Sequence, residues 1–188
     1  THAFDQRLLL ALRDPLDPAR PLGPPWLPEA ARDVTALGST AVLSFVVVAA
    51  VLFLVAARRR AEAAVLAAAA VGAALIETAA KHWYARPRPD FVPDAAKLLT
   101  ASFPSGHATM SAAVYLTLGA LLARAQPTLP LKTLLAALAA SVALLVGLSR
   151  VYLAVHWPSD VAAGWALGAG WSALCWALAL GLRRATAP

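Results

Sequence analysis

Apolar residues run through this chain in long blocks separated by short charged or proline-rich clusters. Such blocks differ from the strict alternation of a half-buried strand and from the narrow stripe of a soluble amphipathic helix. Five of them come close to or exceed the ~20 residues that an α-helix needs to cross a hydrocarbon core about 30 Å thick. They are read at 37–57, 61–84, 104–123, 131–148 and 157–182. The expectation is an all-α, polytopic transmembrane helix bundle with five visible spans.

The boundaries carry their own physical signals. Arg58, Arg59 and Arg60 end the first block, because a charge cluster is costly in hydrocarbon. The second turns polar only near Glu77, Lys81 and His82, so it emerges on the opposite side. Pro104 opens the third, Arg124, Pro127 and Pro130 separate it from the fourth, and Trp157-Pro158 opens the fifth, which ends at Arg183-Arg184. Gly164, Gly168 and Gly170 give the fifth a small-residue surface for close helix contact.

Residues 1–36 are read as an extramembrane or interfacial segment preceding a membrane domain at 37–188. Six of the fourteen prolines fall between Pro15 and Pro28, and proline removes an amide donor and clashes with the preceding turn. Within this irregular segment, Phe4, Leu8, Leu9 and Leu12 recur at helical spacing opposite Asp5, Arg7 and Arg13, which predicts a short interfacial helix.

Composition supports the membrane assignment: 60% of residues are hydrophobic and the mean hydropathy is +0.67, against about half apolar in soluble domains. The formal charge of +6 sits between or beside apolar blocks without an aromatic stacking platform, so the expected partners are membrane lipids and a lipid phosphate, with no nucleic acid. Cys175, the single cysteine, excludes an intrachain disulfide framework and is read as packing filler beside Trp171, Leu174 and Trp176. Trp26, Trp83 and Trp157 read as interfacial aromatics.

Alternating the spans brings Lys81, the loop to Phe103 and the stretch from Ser149 to Asp160 to one face of the membrane. The other face carries Arg58, Arg59, Arg60, Arg124, Lys132, Arg183 and Arg184, which makes it the cytoplasmic one under the positive-inside tendency.

Three motifs on the shared face carry chemistry. In Lys81-His-Trp-Tyr-Ala-Arg-Pro-Arg88-Pro89, a compact ammonium at a helix end is followed by a guanidinium fork, and both can reach one anion. A juxtamembrane basic run anchoring the helix at headgroups is the plainer reading. In Pro104-Ser105-Gly106-His107, a helix amino terminus directs unpaired amides at incoming negative charge, Gly106 permits close approach and His107 has a proton to give. An ordinary helix start with an incidental histidine is the alternative.

In Ser149-Arg150 followed by His156 and Asp160, Pro158 implies a helix start. Asp160 then falls in the first turn, where its carboxylate accepts one imidazole N–H of His156 and leaves the other nitrogen free as a nucleophile. The competing description is an interfacial His-Trp-Pro cap.

In order and spacing these motifs resemble the three signatures of the type 2 phosphatidic acid phosphatase family, which also includes vanadium haloperoxidases. The resemblance spans Lys81 to Asp160, and every signature position is filled. It implies a membrane lipid phosphatase in which His156 attacks phosphorus to form a phosphohistidine, Asp160 orients that ring and His107 protonates the departing oxygen. Lys81, Arg88, Ser105, Gly106 and Arg150 would hold the phosphate oxygens. The family usually has six transmembrane helices, so a further span before Thr1 is implied.

The implied setting is a bacterial inner membrane with the site facing the periplasm or exterior. Undecaprenyl diphosphate and phosphatidylglycerophosphate are the nearest substrate classes, and the scheme requires no metal or cofactor. Zinc ligation by His107 and His156 lacks a completing set of ligands. Glu77, one turn before Lys81, reads as its ion-pair partner, and His82, Arg86, Asp90 and Lys97 read as solvated loop residues near the site. A phosphotransferase using the same intermediate and a non-enzymatic lipid-binding or transport protein are the competing classes.

Overall fold

Helix ends set this architecture as much as helix interiors do. The computed structural model describes residues 2–92 and 100–185, and its described residues form helices and loops. The helices are α1 (His2–Leu10), α2 (Leu27–Ala36), α3 (Thr40–Ala56), α4 (Arg60–Tyr84), α5 (Gly106–Arg124), α6 (Leu129–Tyr152) and α7 (Pro158–Ala185). Among them α4, α5, α6 and α7 are each long and apolar enough to cross a membrane. The shorter α3 meets that test together with α2, from which it is bent by 42°. The chain is thus a membrane protein with four to five candidate spans.

The segment expected to be irregular folds more than its prolines indicated. Pro28 sits in the first turn of α2, where an amide has no intrahelical partner to lose. The bend into α3 falls at Gly38, where a Cβ would lie 2.4 Å from Val146 and 3.2 Å from the His107 ring. Ser39 then caps α3 by accepting from the Val42 amide.

The α1 helix forms as expected. Asp5 and Leu9 are fully buried, while Phe4 and Leu8 point outward. Arg13 also turns inward and donates to the Tyr152 carbonyl. Asp5 and Arg13 of the polar set thus face the protein together with Leu9, while Arg7 is exposed beside Phe4 and Leu8.

Three chain reversals use a left-handed residue that is not glycine: Arg58 (φ 59), Ala85 (φ 41) and Ala154 (φ 53). At the end of α3 the amides of Arg58 and Arg59 bond back to Val55 and Leu54. At the end of α6 those of Ala154 and Val155 bond back to Val151 and Arg150. Both are Schellman closures that turn the chain sharply while satisfying carbonyls the helix leaves open. Ala85 closes α4 more simply, through a bond to the Lys81 carbonyl.

Helix α5 is central, packing against α3, α4, α6 and α7. Its buried positions are mostly small: Ala108, Thr109, Ser111, Ala112, Ala113 and Gly119 among them. Small residues let backbones approach where lipid supplies no hydrophobic contrast. Gly164 and Gly168 of α7 show how close: an added Cβ would stand 2.8 Å from the Ser105 carbonyl and 2.2 Å from that of Thr109. Gly170, expected to share that surface, faces open space.

Two tryptophans lock the bundle by the same device. Trp165 lies over Gly147 and donates to the Ala143 carbonyl, and Trp171 lies over Gly72 and donates to the Ala68 carbonyl. Cys175 packs with Val65, Ala69 and Trp171. Lipid-facing positions such as Phe45, Leu52, Phe53, Leu75 and Leu178 remain exposed.

Candidate active site at one end of the bundle

The amino ends of α5 and α7 and the carboxyl ends of α4 and α6 meet at one end of the bundle. Each motif residue owes its place to one of these ends. Lys81 lies in the last turn of α4, and the left-handed Ala85 sends the following segment back across that end, carrying Arg88. Arg150 lies in the last turn of α6, and the left-handed Ala154 returns the chain with His156. Helix α5 opens at Gly106-His107 and α7 at Pro158, two residues before Asp160. Two helix amino termini and the basic residues of two carboxyl termini therefore point at one volume, which suits an anion.

That volume is a cavity of about 610 Å³. Lys81, Arg88, Gly106, His107, Arg150 and His156 all line it at one end. From there it continues between α3 and α4, along Leu43, Val47 and Val48 on one side and Ala70, Val71 and Ala74 on the other. Glu77 also lines it and holds Lys81 at 2.6 Å, the pairing expected from their spacing.

Two polar atoms, Arg150 Nε at the charged end and Ser105 Oγ on the residue next to the cavity-lining Gly106, are buried without a hydrogen-bond partner among the described residues. Buried polar groups are ordinarily satisfied, so this pair marks a place for a ligand with acceptor oxygens. Arg150 is otherwise steadied by a bond from Nη1 to Thr35 Oγ1 of α2.

The tautomer of His156 follows from its neighbours. Arg88 Nη1 lies 3.0 Å from Nε2 and also donates to the Val155 carbonyl. A guanidinium has no lone pair to offer, so Nε2 must accept and the ring proton belongs on Nδ1. On that side Ser102 Oγ lies 3.3 Å away and itself donates to Asp160 Oδ2 at 2.5 Å. Asp160 Oδ2 is 3.7 Å from Nδ1. The direct imidazole–carboxylate bond expected from the i, i+4 spacing is thus replaced here by a hydroxyl standing between the two groups, and Asp160 Oδ2 also accepts from the Trp157 amide.

His156 is almost wholly buried, and burial pushes it down to about 4, helped by the charges of Arg88 and Arg150 and opposed by Asp160. Burial also lowers Arg88 from its ordinary value; a guanidinium retains its charge nonetheless.

Sequence reasoning missed four members of this end. Arg86, expected in solvent, reaches Asp160 Oδ1 at 2.5 Å and Asp5 Oδ2 at 2.8 Å, over the face of Trp157. Trp157, expected at the interface, is buried beneath it and donates to the Pro87 carbonyl. Ser102 and Asp5 carried no motif; the paired Arg-Pro steps at 86–89 were the only hint. His82 and Asp90 are exposed, as are Trp26 and Trp83, whereas Lys97 lies outside the described residues.

A helical membrane fold with cations and imidazoles gathered at one end defines an integral membrane enzyme acting on phosphate esters. The PAP2 superfamily model matches residues 61–184, and the chain belongs to that superfamily. It is 36% identical over 145 residues to phosphatidylglycerophosphatase B of Bacillus subtilis, covering 77% of this chain and 71% of the relative. The crystal structure of the Bacillus subtilis PAP2-type phosphatidylglycerolphosphate phosphatase superposes with a TM-score of 0.76 at 29% identity, over 99% of this chain and 87% of that one. Aquifex aeolicus LpxE gives 0.63 at 25% identity, over 90% and 91%.

Proposed function

We propose that this membrane lipid phosphatase removes phosphate from a lipid phosphomonoester or diphosphate through a phosphohistidine on His156. One observation carries the reading: the cluster of Lys81, Arg88, Arg150 and the two histidines lies at the polar end of a cavity whose other end is an apolar channel between α3 and α4. A phosphorylated headgroup with an alkyl chain fits both ends. Phosphatidylglycerophosphate is the first substrate class to consider, by similarity to the Bacillus relatives, with undecaprenyl diphosphate second.

The chemistry follows from the lone pairs. Nε2 of neutral His156 attacks phosphorus; the N–P bond forms as the bond to the lipid oxygen breaks, and that oxygen takes a proton from protonated His107. Lys81, Arg88 and Arg150 balance charge on the equatorial oxygens throughout, joined by the Ser105 hydroxyl and the amide near Gly106. Asp160, through Ser102, stabilises the charge gained by the imidazole. Water, deprotonated by His107, then attacks phosphorus, releasing phosphate and restoring His156.

Three fixed cations do here what magnesium does in many phosphoryl-transfer enzymes, so the reaction needs no metal. Arginines at the far end, Arg58, Arg59, Arg60 and Arg124, favour an orientation with the site toward the periplasm or exterior of a bacterial inner membrane.

Phosphate release in detergent micelles from phosphatidylglycerophosphate, undecaprenyl diphosphate, phosphatidic acid and lipid A tests this reading. At least one should be hydrolysed, with EDTA leaving the rate unchanged. His156→Ala should lower the rate by about a thousandfold or more. Turnover surviving in His156→Ala, or abolished by the chelator, overturns the mechanism. An alcohol acceptor in the assay separates hydrolysis from transfer.

A further inference from the structure

Asp5 is a fully buried carboxylate on a helix of otherwise interfacial character. Its oxygens are fully engaged. Oδ1 accepts the Ser159 amide at 2.8 Å, and Oδ2 accepts the Ser159 hydroxyl at 2.6 Å and Arg86 Nη2 at 2.8 Å. The other arm of the same guanidinium, Nη1, donates to Asp160 Oδ1 at 2.5 Å and to Ser159 Oγ at 2.8 Å. A planar fork thus spans two buried carboxylates and fixes their relative orientation.

The far carboxylate is the one that serves His156. Asp160 Oδ1 is committed to Arg86, which aims Oδ2 at the Ser102 hydroxyl and the Trp157 amide. Rotation of Asp160 would break the Ser102 link and free the imidazole to turn. Arg86 is itself held flat, with the Trp157 ring centroid 5.5 Å from its guanidinium carbon.

We infer that Asp5 and Arg86 are positioning residues of the hydrolytic reaction: the amino-terminal helix, through Asp5, sets Arg86, and Arg86 sets the Asp160 carboxylate that orients the nucleophile. Neither residue lines the cavity, and both connect to His156 through Asp160 and Ser102. An ion pair that only fastened α1 to the bundle would need no second arm on Asp160. The alignment of Asp5, Arg86, Asp160, Ser102 and His156 forms a continuous chain from the membrane-surface helix to the reacting nitrogen.

The inference rests on His156 as nucleophile, and the experiment separates the two. Parent, Asp5→Asn, Arg86→Lys, Arg86→Gln and His156→Ala proteins are purified whole in detergent. They are assayed on a short-chain lipid phosphate well below each protein's unfolding midpoint. Asp5→Asn and Arg86→Gln should lower kcat tenfold or more with KM within twofold and should shift the His156 ring resonances in histidine-labelled NMR spectra. Arg86→Lys, with charge but no fork, should recover only part of the loss. The double variant Asp5→Asn/Arg86→Gln should be little worse than Arg86→Gln alone, since both act through one link.

A lowered unfolding midpoint with kcat within twofold and unchanged His156 resonances would reduce the pair to a fastener and overturn the inference. If Asp5→Asn proves too unstable to assay, Arg86→Lys decides by the same readouts. Turnover retained in His156→Ala sinks the nucleophile assignment instead, whatever the other variants do.

Discussion

His156 shows how an ordinary side chain is prepared for one task by what surrounds it. Burial first, and the neighbouring guanidinium groups second, disfavour its protonated form, so a ring that would titrate near 6.5 is pushed down to about 4. A depressed value keeps the ring neutral, the form that the proposed mechanism needs, through the whole range above it. The ring should therefore stay neutral as pH falls through 6.5 and gain its proton only near pH 4. Histidine-labelled NMR of the substrate-free protein, assigned with His156→Gln, measures this; a midpoint near 6.5 would contradict the burial argument.

Placement at the shared end of the bundle was legible in the sequence where type and spacing carry meaning, as in His107, Arg150 and Asp160. It was not legible for Arg86 and Asp5. A charged residue in a loop or on an interfacial helix looks solvated by default, and its burial depends on a partner 81 positions away in the chain. Ser102 was hidden for a similar reason, since its role arises only from standing between two groups that spacing alone would have joined.

At the scale of elements, hydropathy located the spans well because every buried backbone amide in a membrane must be satisfied within a helix, which lengthens and regularises the apolar blocks. Helix ends were harder. The turns after Tyr84 and Leu153 depend on left-handed alanines, and a left-handed site is usually announced by glycine or asparagine. Such a residue carries a backbone cost of about 1–2 kcal/mol. Ala85 is solvent-facing, so little packing is lost on trimming it. Ala85→Gly should therefore stabilise the protein by about 1 kcal/mol, seen as a higher unfolding midpoint in detergent, with activity preserved. A lower midpoint would show that the reversal is not strained.

For the whole molecule, the cavity runs from the charged end along α3 and α4. Helix α5 is enclosed on several sides, whereas α3 and α4 pack on each other through Leu54, Ala63 and Leu66 and leave beside that contact a channel lined by Val47, Val48, Val71 and Ala74. Blocking that channel should affect long-chain substrates selectively. Ala74→Phe should raise KM for a phosphatidylglycerophosphate with full-length chains about tenfold or more, equivalent to about 1.4 kcal/mol, while a short-chain water-soluble phosphate is turned over as before. Equal effects on both would place the chain elsewhere. The channel was invisible in the sequence because its lining has the same apolar composition as any lipid-facing surface.

The contact between Arg88 and Nε2 of His156 has a consequence for the proposed reaction. In the proposed mechanism the Nε2 lone pair that attacks is the one sheathed by the guanidinium, and an incoming phosphate would uncover it by drawing that arginine onto its own oxygens. Anion recognition and nucleophile release thereby become one event. A neutral electrophile that drifts into the channel has nothing with which to lift the sheath, so discrimination against it arises at the moment of arming rather than in the strength of binding.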